Sequence, residues 1–314
     1  METLRDAPRH AGTPPAPTRY IVWGSGEYPE RLTHLHDPPA GLYARGPASL
    51  PPDGMIGIVG TRRATEYGRR MAHDLAFDLA AVGWVVVSGL ASGIDAAAHR
   101  GALAAGGTTI GVLGCGVDRV YPRINRQLYG SIAARGLLLS EYLPDETPRK
   151  HHFPQRNRII AALSSALVVV QAGEKSGALI TAGMALDLGR EVLAVPGPAD
   201  QAVSRGVHHL LREGAQVAET ALDVLRELGE TGCLETAEIQ GKLFDAHPSS
   251  PDAGVSAPAG RLREGLAAGP ALVDDLAHAT GIAVPEVLAI LCRMELGGLV
   301  RSLPGHRFEL VRRP

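Results

Sequence analysis

From Met55 onward the apolar positions of the chain gather into six short runs, Ile56–Val59, Trp84–Ser88, Thr109–Leu113, Leu137–Ser140, Leu167–Gln171 and Glu191–Val195. Most are rich in β-branched residues and lack polar alternation, the pattern of strands buried on both faces of a parallel sheet. Helical spacing fills the segments between them. The pattern therefore predicts an α/β fold, a Rossmann-like core with a mostly parallel sheet and helices on both faces.

The flanks read differently. Residues 1–19, with Pro14, Pro15 and Pro17, suggest a flexible tail, and Tyr28–Gly46 an irregular lead-in to the first strand. Residues 20–220 then form the Rossmann-like domain and 221–257 an acidic, Pro- and Ser-rich linker, most clearly over Phe244–Gly260. In 258–314 three helical patterns, Arg261–Ala268, Ala271–Thr280 and Val284–Leu296, precede two strand-like pieces, Leu299–Leu303 and His306–Val311. That order predicts a small winged-helix domain. Its third helix sets Arg293 against Glu286 and Glu295, which favours a structural or protein-contact role over DNA reading.

Charge changes the picture only when it is resolved by region. The 314 residues carry a formal net charge of −2, which by itself gives no sign of a nucleic-acid partner. Residues 221–257 hold two basic against seven acidic side chains, so the acidic excess lies in the linker and leaves the core close to neutral. The three cysteines, Cys115, Cys233 and Cys292, are too far apart for a local metal or redox pair and fit a reducing cytoplasm. The first residues lack the apolar stretch of a signal peptide, and no apolar run is long enough to span a bilayer. We therefore expect a cytoplasmic protein with no membrane partner.

Three loops share one design, in which a hydrophobic strand ends, small residues follow and a helix begins. They are Gly60-Thr61-Arg62-Arg63, Ser88-Gly89-Leu90-Ala91-Ser92-Gly93-Ile94-Asp95 and Gly173-Glu174-Lys175-Ser176-Gly177. Backbone amides at a helix N-terminus favour anions, and in open parallel sheets such turns lie at the ligand-binding carboxyl ends of the strands. Any one of them could equally be nothing more than a good turn.

The segment from Arg149 to Arg158 adds four fixed positive charges, two histidines and no acid. A solvated basic face is the plain alternative, but the chain has only three lysines, Lys150, Lys175 and Lys242, and the first two fall in these candidate loops. Phe153, one of four phenylalanines, either stacks on a base or anchors Pro154. With aromatics at 4% a long stacking platform is excluded, so binding would rest mainly on backbone phosphates.

Other residues carry less. Asp95 and His99 share a helical face, but an acid in the first turn of a helix is favoured for structural reasons. His208-His209 lacks partners at zinc-ligand spacing, so no metal site is expected. Gly111-Val112-Leu113-Gly114-Cys115-Gly116 has the wrong glycine spacing for a dinucleotide fingerprint, and no Gly-Lys-Ser/Thr phosphate loop occurs.

Taken together, these segments resemble the DNA-processing protein A family, also called Smf. The resemblance is carried by Tyr28-Pro29-Glu30-Arg31-Leu32, Gly60-Thr61-Arg62, Ser88 to Asp95 with Ala98-His99, Gly106-Gly107-Thr108-Thr109, Tyr121-Pro122, Ser140-Glu141-Tyr142, Phe153 to Ile160, Ser176 to Thr181 and Val195-Pro196-Gly197. It implies an extended Rossmann-like domain that binds single-stranded DNA, forms a homodimer and helps load a RecA-type recombinase during natural transformation, with no catalysis and no cofactor. By motif, Arg62, Lys150, Phe153, Arg156, Asn157, Arg158 and Lys175 would form the groove. Amides near Thr61, Gly89, Gly93 and Ser176 would donate to phosphates, with Gly60, Ser88, Ser92 and Gly177 in the same loops. The resemblance also puts dimer and recombinase contacts around His209–Val217. Many members begin with a separate helical domain, for which the residues before Tyr28 are too few, so contacts made by that domain are not expected here.

An enzymatic alternative is a nucleotide phosphoribohydrolase of the lysine-decarboxylase-like group, on a related fold. Its Pro-Gly-Gly-x-Gly-Thr-x-x-Glu loop supplies the catalytic acid, whereas Ala172 to Ala178 here carries Lys175 and no such glutamate. A transcription factor acting through the winged helix is a weaker alternative, given the poorly charged third helix.

Overall fold

In the computed structural model residues 17–230, apart from Pro52, are described, together with part of 262–310. Two compact units divide the chain, Met1–His247 and Pro248–Pro314. The tail before Pro17, the linker Phe244–Gly260 and most of the helical patterns at 261–268 and 284–296 lie outside the described residues.

The first unit holds nine strands: β1 (Arg19–Val22), β2 (Gly41–Arg45), β3 (Met55–Val59), β4 (Val85–Ser88), β5 (Thr109–Val112), β6 (Leu137–Ser140), β7 (Ala166–Val169), β8 (Glu191–Ala194) and β9 (Gln216–Val217). Their order across the sheet is β1-β2-β6-β5-β4-β3-β7-β8-β9. All six predicted strands are present, and each pairs in parallel with its neighbours among them. The lead-in was expected to be irregular, yet Gly41–Arg45 forms β2, which runs antiparallel to β6 and to β1. Arg19, assigned to the tail by its sequence, starts β1.

Alternation explains why the core strands lack polar positions. In β3, Met55 and Val59 face one apolar layer and Ile56 and Ile58 the other. The first layer is closed by α4 (His152–Leu163), α5 (Gly177–Asp187) and α6 (Arg205–Arg212). The second is closed by α1 (Glu66–Ala81), α2 (Ile94–Ala104) and α7 (Ala221–Glu227), while α3 (Arg126–Arg135) packs beside α2. Both side-chain sets of a strand are thus removed from water, and either face loses stability if a polar residue enters it.

From β3 the chain builds outward through β4, β5 and β6, then returns to place β7 on the other side of β3. The loops leaving β3 and β7 therefore diverge to opposite faces and open a crevice at their carboxyl ends. That crevice is where the glycine-rich loops meet.

The second unit contains a three-stranded antiparallel sheet in which Arg307–Leu310 lies between Ala271–Leu272 and Val300–Leu303. The helix Val273–Thr280 ends at Gly281, in the left-handed conformation that glycine adopts without strain. Leu262, Leu266, Leu276, Val287, Ile290, Leu291, Val300 and Phe308 form its buried core.

Candidate nucleic-acid interface

The loops after β3, β4 and β7 are joined by their own backbone. The Thr61 amide donates to the Gln171 carbonyl at 2.7 Å, and the Thr61 carbonyl accepts from the Ile94 amide at 3.3 Å. Gly93 makes the second junction possible. Its φ is +85°, and a Cβ there would sit 2.3 Å from the Thr61 carbonyl oxygen, so only glycine lets the α2 N-terminus come so close.

Helix α4 forms the wall of the crevice. Positions three and four apart share a helix face, and Phe153, Arg156, Asn157 and Ile160 line one cleft of about 210 Å³ together with Gly60, Thr61, Arg62, Asp95, Ser176 and Gly177. A smaller cleft of about 60 Å³ adjoins it, lined by Gly89, Ser92 and Tyr121 and again by Arg62, Phe153 and Arg156. The Arg62 guanidinium lies 4.8 Å from the centroid of the Phe153 ring, a cation–π contact that holds an exposed charge at the mouth.

Arg156 behaves differently from Arg62. It is buried, with 4% exposure. Its Nη1 donates to the Gly89 carbonyl at 2.7 Å and also to the Val112 carbonyl, and its Nε donates to Asn157 Oδ1 at 3.2 Å. A Cβ on Gly89 would fall 2.3 Å from that Nη1. Arg156 is therefore a brace across the floor of the cleft, and Arg62 is the guanidinium open at its mouth.

Asp95 also lines the larger cleft. Burial pushes its carboxyl above the usual carboxylate range, opposed by Arg156, the Ala91 amide, Arg62 and the Gly89 amide. The Ala91 amide donates to Asp95 Oδ2 at 3.3 Å, so the carboxylate is held by the glycine loop as a first-turn acid would be.

The remaining expected residues do not all converge. Ser88 is buried and donates to the Ile58 carbonyl at 2.6 Å, away from the cleft lining. Arg158, two positions beyond Arg156, projects from another face of α4 and pairs with Glu141 at 2.5 Å. Lys150 and Lys175 are exposed in their loops and line neither cleft, although Ser176 and Gly177 line the larger one. The Thr61 and Ser176 amides, expected to be open to phosphate, already donate to the Gln171 and Gly173 carbonyls. The first bond ties the loop after β3 to the end of β7, and the second closes the loop after β7 on itself.

Two contributors escaped the reading of the sequence as site residues. Tyr121 packs on Phe153 with ring centroids 5.6 Å apart, and the buried Asn125 donates to the Leu90 and Ala91 carbonyls at 3.0 and 3.2 Å. The Tyr121-Pro122 dipeptide was visible, but nothing in its spacing says that it reaches Phe153. His99, buried in the core, sits 2.6 Å from Thr109 Oγ1, and His208 Nε2 lies 3.0 Å from the Gly197 carbonyl. Among the described residues no group of three His, Cys, Asp or Glu side chains could hold a metal ion, and no helix is long and apolar enough to cross a membrane.

Residues 19–229 match the family model for DNA recombination-mediator protein A, and residues 246–306 match that for the DprA winged helix domain. The chain is 47% identical over 211 residues to the DNA processing protein DprA of Bacillus subtilis, covering 67% of this chain and 71% of that protein. It is 35% identical over 298 residues to the protein Smf of Escherichia coli, covering 94% and 79%. Among solved structures, DNA processing protein A of Streptococcus pneumoniae superposes with a TM-score of 0.64 at 40% identity, covering 67% of this chain and 74% of that one. DNA processing protein A of Helicobacter pylori, from a structure concerned with its single-stranded DNA binding mode, superposes with a TM-score of 0.61 at 34% identity, covering 67% and 95%.

Proposed function

The chain belongs to the DNA recombination-mediator protein A family, and on that footing we propose that it binds single-stranded DNA by its phosphates in the crevice beside β3. The observation that carries the reading is the convergence of three strand-end loops on one cleft, with Arg62 held open at its mouth over Phe153. The Helicobacter relative, whose structure concerns single-stranded DNA binding, supports it. Lys150 and Lys175, flexible point charges on exposed loops, draw the flanking phosphates. Arg156, Asn157, Gly60, Thr61, Gly89, Ser92, Gly93, Ser176 and Gly177 shape the cleft, and Ser88 and Arg158 serve the fold around it.

In this reading the protein is a cytoplasmic homodimer without catalytic activity or cofactor, and it hands its strand to a RecA-type recombinase during natural transformation. DNA is held by residues 20–220, whose core α7 completes through the buried Ala221, Val224 and Leu225, so that the linker expected at 221–257 begins only after that helix, and the winged helix of 258–314 contacts protein. The dimer and recombinase surfaces lie around His209–Val217, at the end of the Rossmann-like domain. Exposed Val217 on the short edge strand β9 supports that placement.

A phosphoribohydrolase would need an acid aimed into the cleft from the loop after β7. Glu174 is instead exposed and lies 3.7 Å from Arg205. Incubation with nucleoside monophosphates is expected to release no free base, and steady turnover would reverse the assignment. Light scattering at micromolar concentration is expected to give about twice 32.9 kDa, and a strict monomer would contradict the dimer.

A further inference from the structure

A further cleft, of about 890 Å³, lies at the amino ends of β3 and β8, the opposite end of these strands from the glycine-rich loops. It is bounded by β1, by the segment from Ser25 to His34 and by the residues just before β3 and β8. Three arginines line it. Arg19 donates to the Gly46 and Ala48 carbonyls at 2.9 and 3.1 Å and lies 3.6 Å from Glu27. Arg31 pairs with Asp53 at 2.5 Å. Arg190 has no acidic partner among the described residues: its Nη2 reaches the Ala162 carbonyl only at 3.5 Å, and its Nε is buried with no acceptor.

A guanidinium in this setting is poorly compensated. Burial and the like charge of Arg31 both push the Arg190 pKa below its ordinary value, and an anion that touched both arginines would relieve the two effects together. The plain alternative is that Arg31 and Arg190 only close the carboxyl end of α4, where they approach the Ser164 and Ala162 carbonyls. Those bonds are long, 3.4 and 3.5 Å, and leave Arg190 without a counter-charge. Ile21, Leu50 and Pro51 give the same cleft apolar surface. Guanidinium forks beside apolar surface, in a space of this size, suit a small organic phosphate, whose roughly two negative charges can engage both forks at once.

We propose that this cleft is a second binding site, separate from the crevice beside β3, and that it takes a phosphate monoester of nucleotide size. The phosphate sits between Arg31 and Arg190, and the apolar part of the ligand lies against Ile21, Leu50 and Pro51. A free nucleoside monophosphate and the 5′-phosphorylated end of a DNA strand both carry that group. Asp53, whose side chain is 80% exposed, competes with the phosphate for Arg31.

The test uses the full chain and its Arg190→Gln, Asp53→Asn and Arg62→Ala variants. Each is titrated by calorimetry with thymidine monophosphate, with thymidine, and with oligothymidylate bearing or lacking a 5′-phosphate. The parent should bind the monophosphate and not thymidine. Arg190→Gln should weaken monophosphate binding at least about tenfold and leave the affinity for the unphosphorylated oligonucleotide unchanged, while Arg62→Ala should do the reverse. Asp53→Asn, which removes the competitor for Arg31, should tighten monophosphate binding several-fold, a gain that damage to the fold does not produce. With these results, an Arg190-dependent preference for the phosphorylated oligonucleotide assigns the site to a strand end, and equal affinity for the two oligonucleotides assigns it to the free nucleotide. A parent that binds neither the monophosphate nor a 5′-phosphorylated end would overturn the site. So would monophosphate binding that survives Arg190→Gln, that Arg62→Ala abolishes, or that Asp53→Asn fails to tighten, and none of these results bears on single-strand binding in the crevice.

Discussion

The Arg156 guanidinium and the Gly89 carbonyl meet at 2.7 Å, and this bond ties helix α4 to the glycine loop after β4. A second bond from the same nitrogen reaches the Val112 carbonyl at the end of β5. One buried side chain therefore fixes the cleft wall against two strand ends.

Removing that brace should cost stability before it costs binding. Arg156→Met leaves two buried carbonyls without their charged donor, a loss of about 3 kcal/mol. Urea denaturation should show a lower midpoint at an unchanged slope. Arg156→Lys should recover only part of the loss, because an ammonium cannot reproduce the planar fork. A midpoint equal to that of the parent would show that the buried bonds contribute nothing.

Arg62 should behave in the opposite way. It is exposed at the mouth, so Arg62→Ala is expected to leave stability within about 0.5 kcal/mol of the parent. Single-strand affinity should fall alike for all sequences, and the slope of log K against log salt should shrink by about 0.7 per lost phosphate contact. Lys175→Ala should do the same more weakly. Binding equal to the parent at every salt concentration would remove the residue from the interface.

Gly93 admits no side chain. A methyl group there meets the Thr61 carbonyl and must sit at a φ of +85°, so Gly93→Ala should destabilise the fold by about 2 kcal/mol. Because the clash falls on backbone at the cleft, single-strand affinity should drop as well. A Gly93→Ala protein with parental melting would show that the loops are not held at this distance.

His99 gives the core a pH dependence. Burial, with Arg156 and Arg100 nearby, pushes its pKa down to about 3 from an ordinary 6.5. The unfolded chain takes up a proton that the folded one refuses, so this contribution is intact above the ordinary value and is lost as pH falls from there towards 3. The loss reaches about 2 kcal/mol by pH 5. Asp95, whose carboxyl is raised, acts in the reverse sense, with a contribution that is full at low pH and lost as pH rises. Urea midpoints at pH 7 and 5 should therefore fall less for His99→Gln than for the parent, and equal falls would contradict the assignment.

The parallel core was legible because both faces of each strand are buried, which erases polar alternation from runs such as Leu167 to Val170. The edges were not. Gly41–Arg45 has no β-branched residue, and β9 has only two residues, both exposed, so neither carries a strand signal. The basic stretch from Arg149 to Arg158 showed its charge but not its direction. One helix sends Arg156 into the cleft floor, Arg158 to Glu141 and leaves Lys150 before its first turn. Sequence counts charges along a line, whereas a helix distributes them around an axis. The meeting of Tyr121, in the segment after β5, with Phe153, in the helix after β6, depends on β6 lying beside β5, an order that no local pattern specifies.

In the proposed function the crevice beside β3 holds a single DNA strand mainly through its phosphates. The most direct measurement is a titration of fluorescent oligothymidylate and of an equal-length duplex against the full chain, at low and at high salt. Preferential binding of the single strand that weakens steeply with salt is the expected result. Equal affinity for both forms, or single-strand binding indifferent to salt, would contradict it.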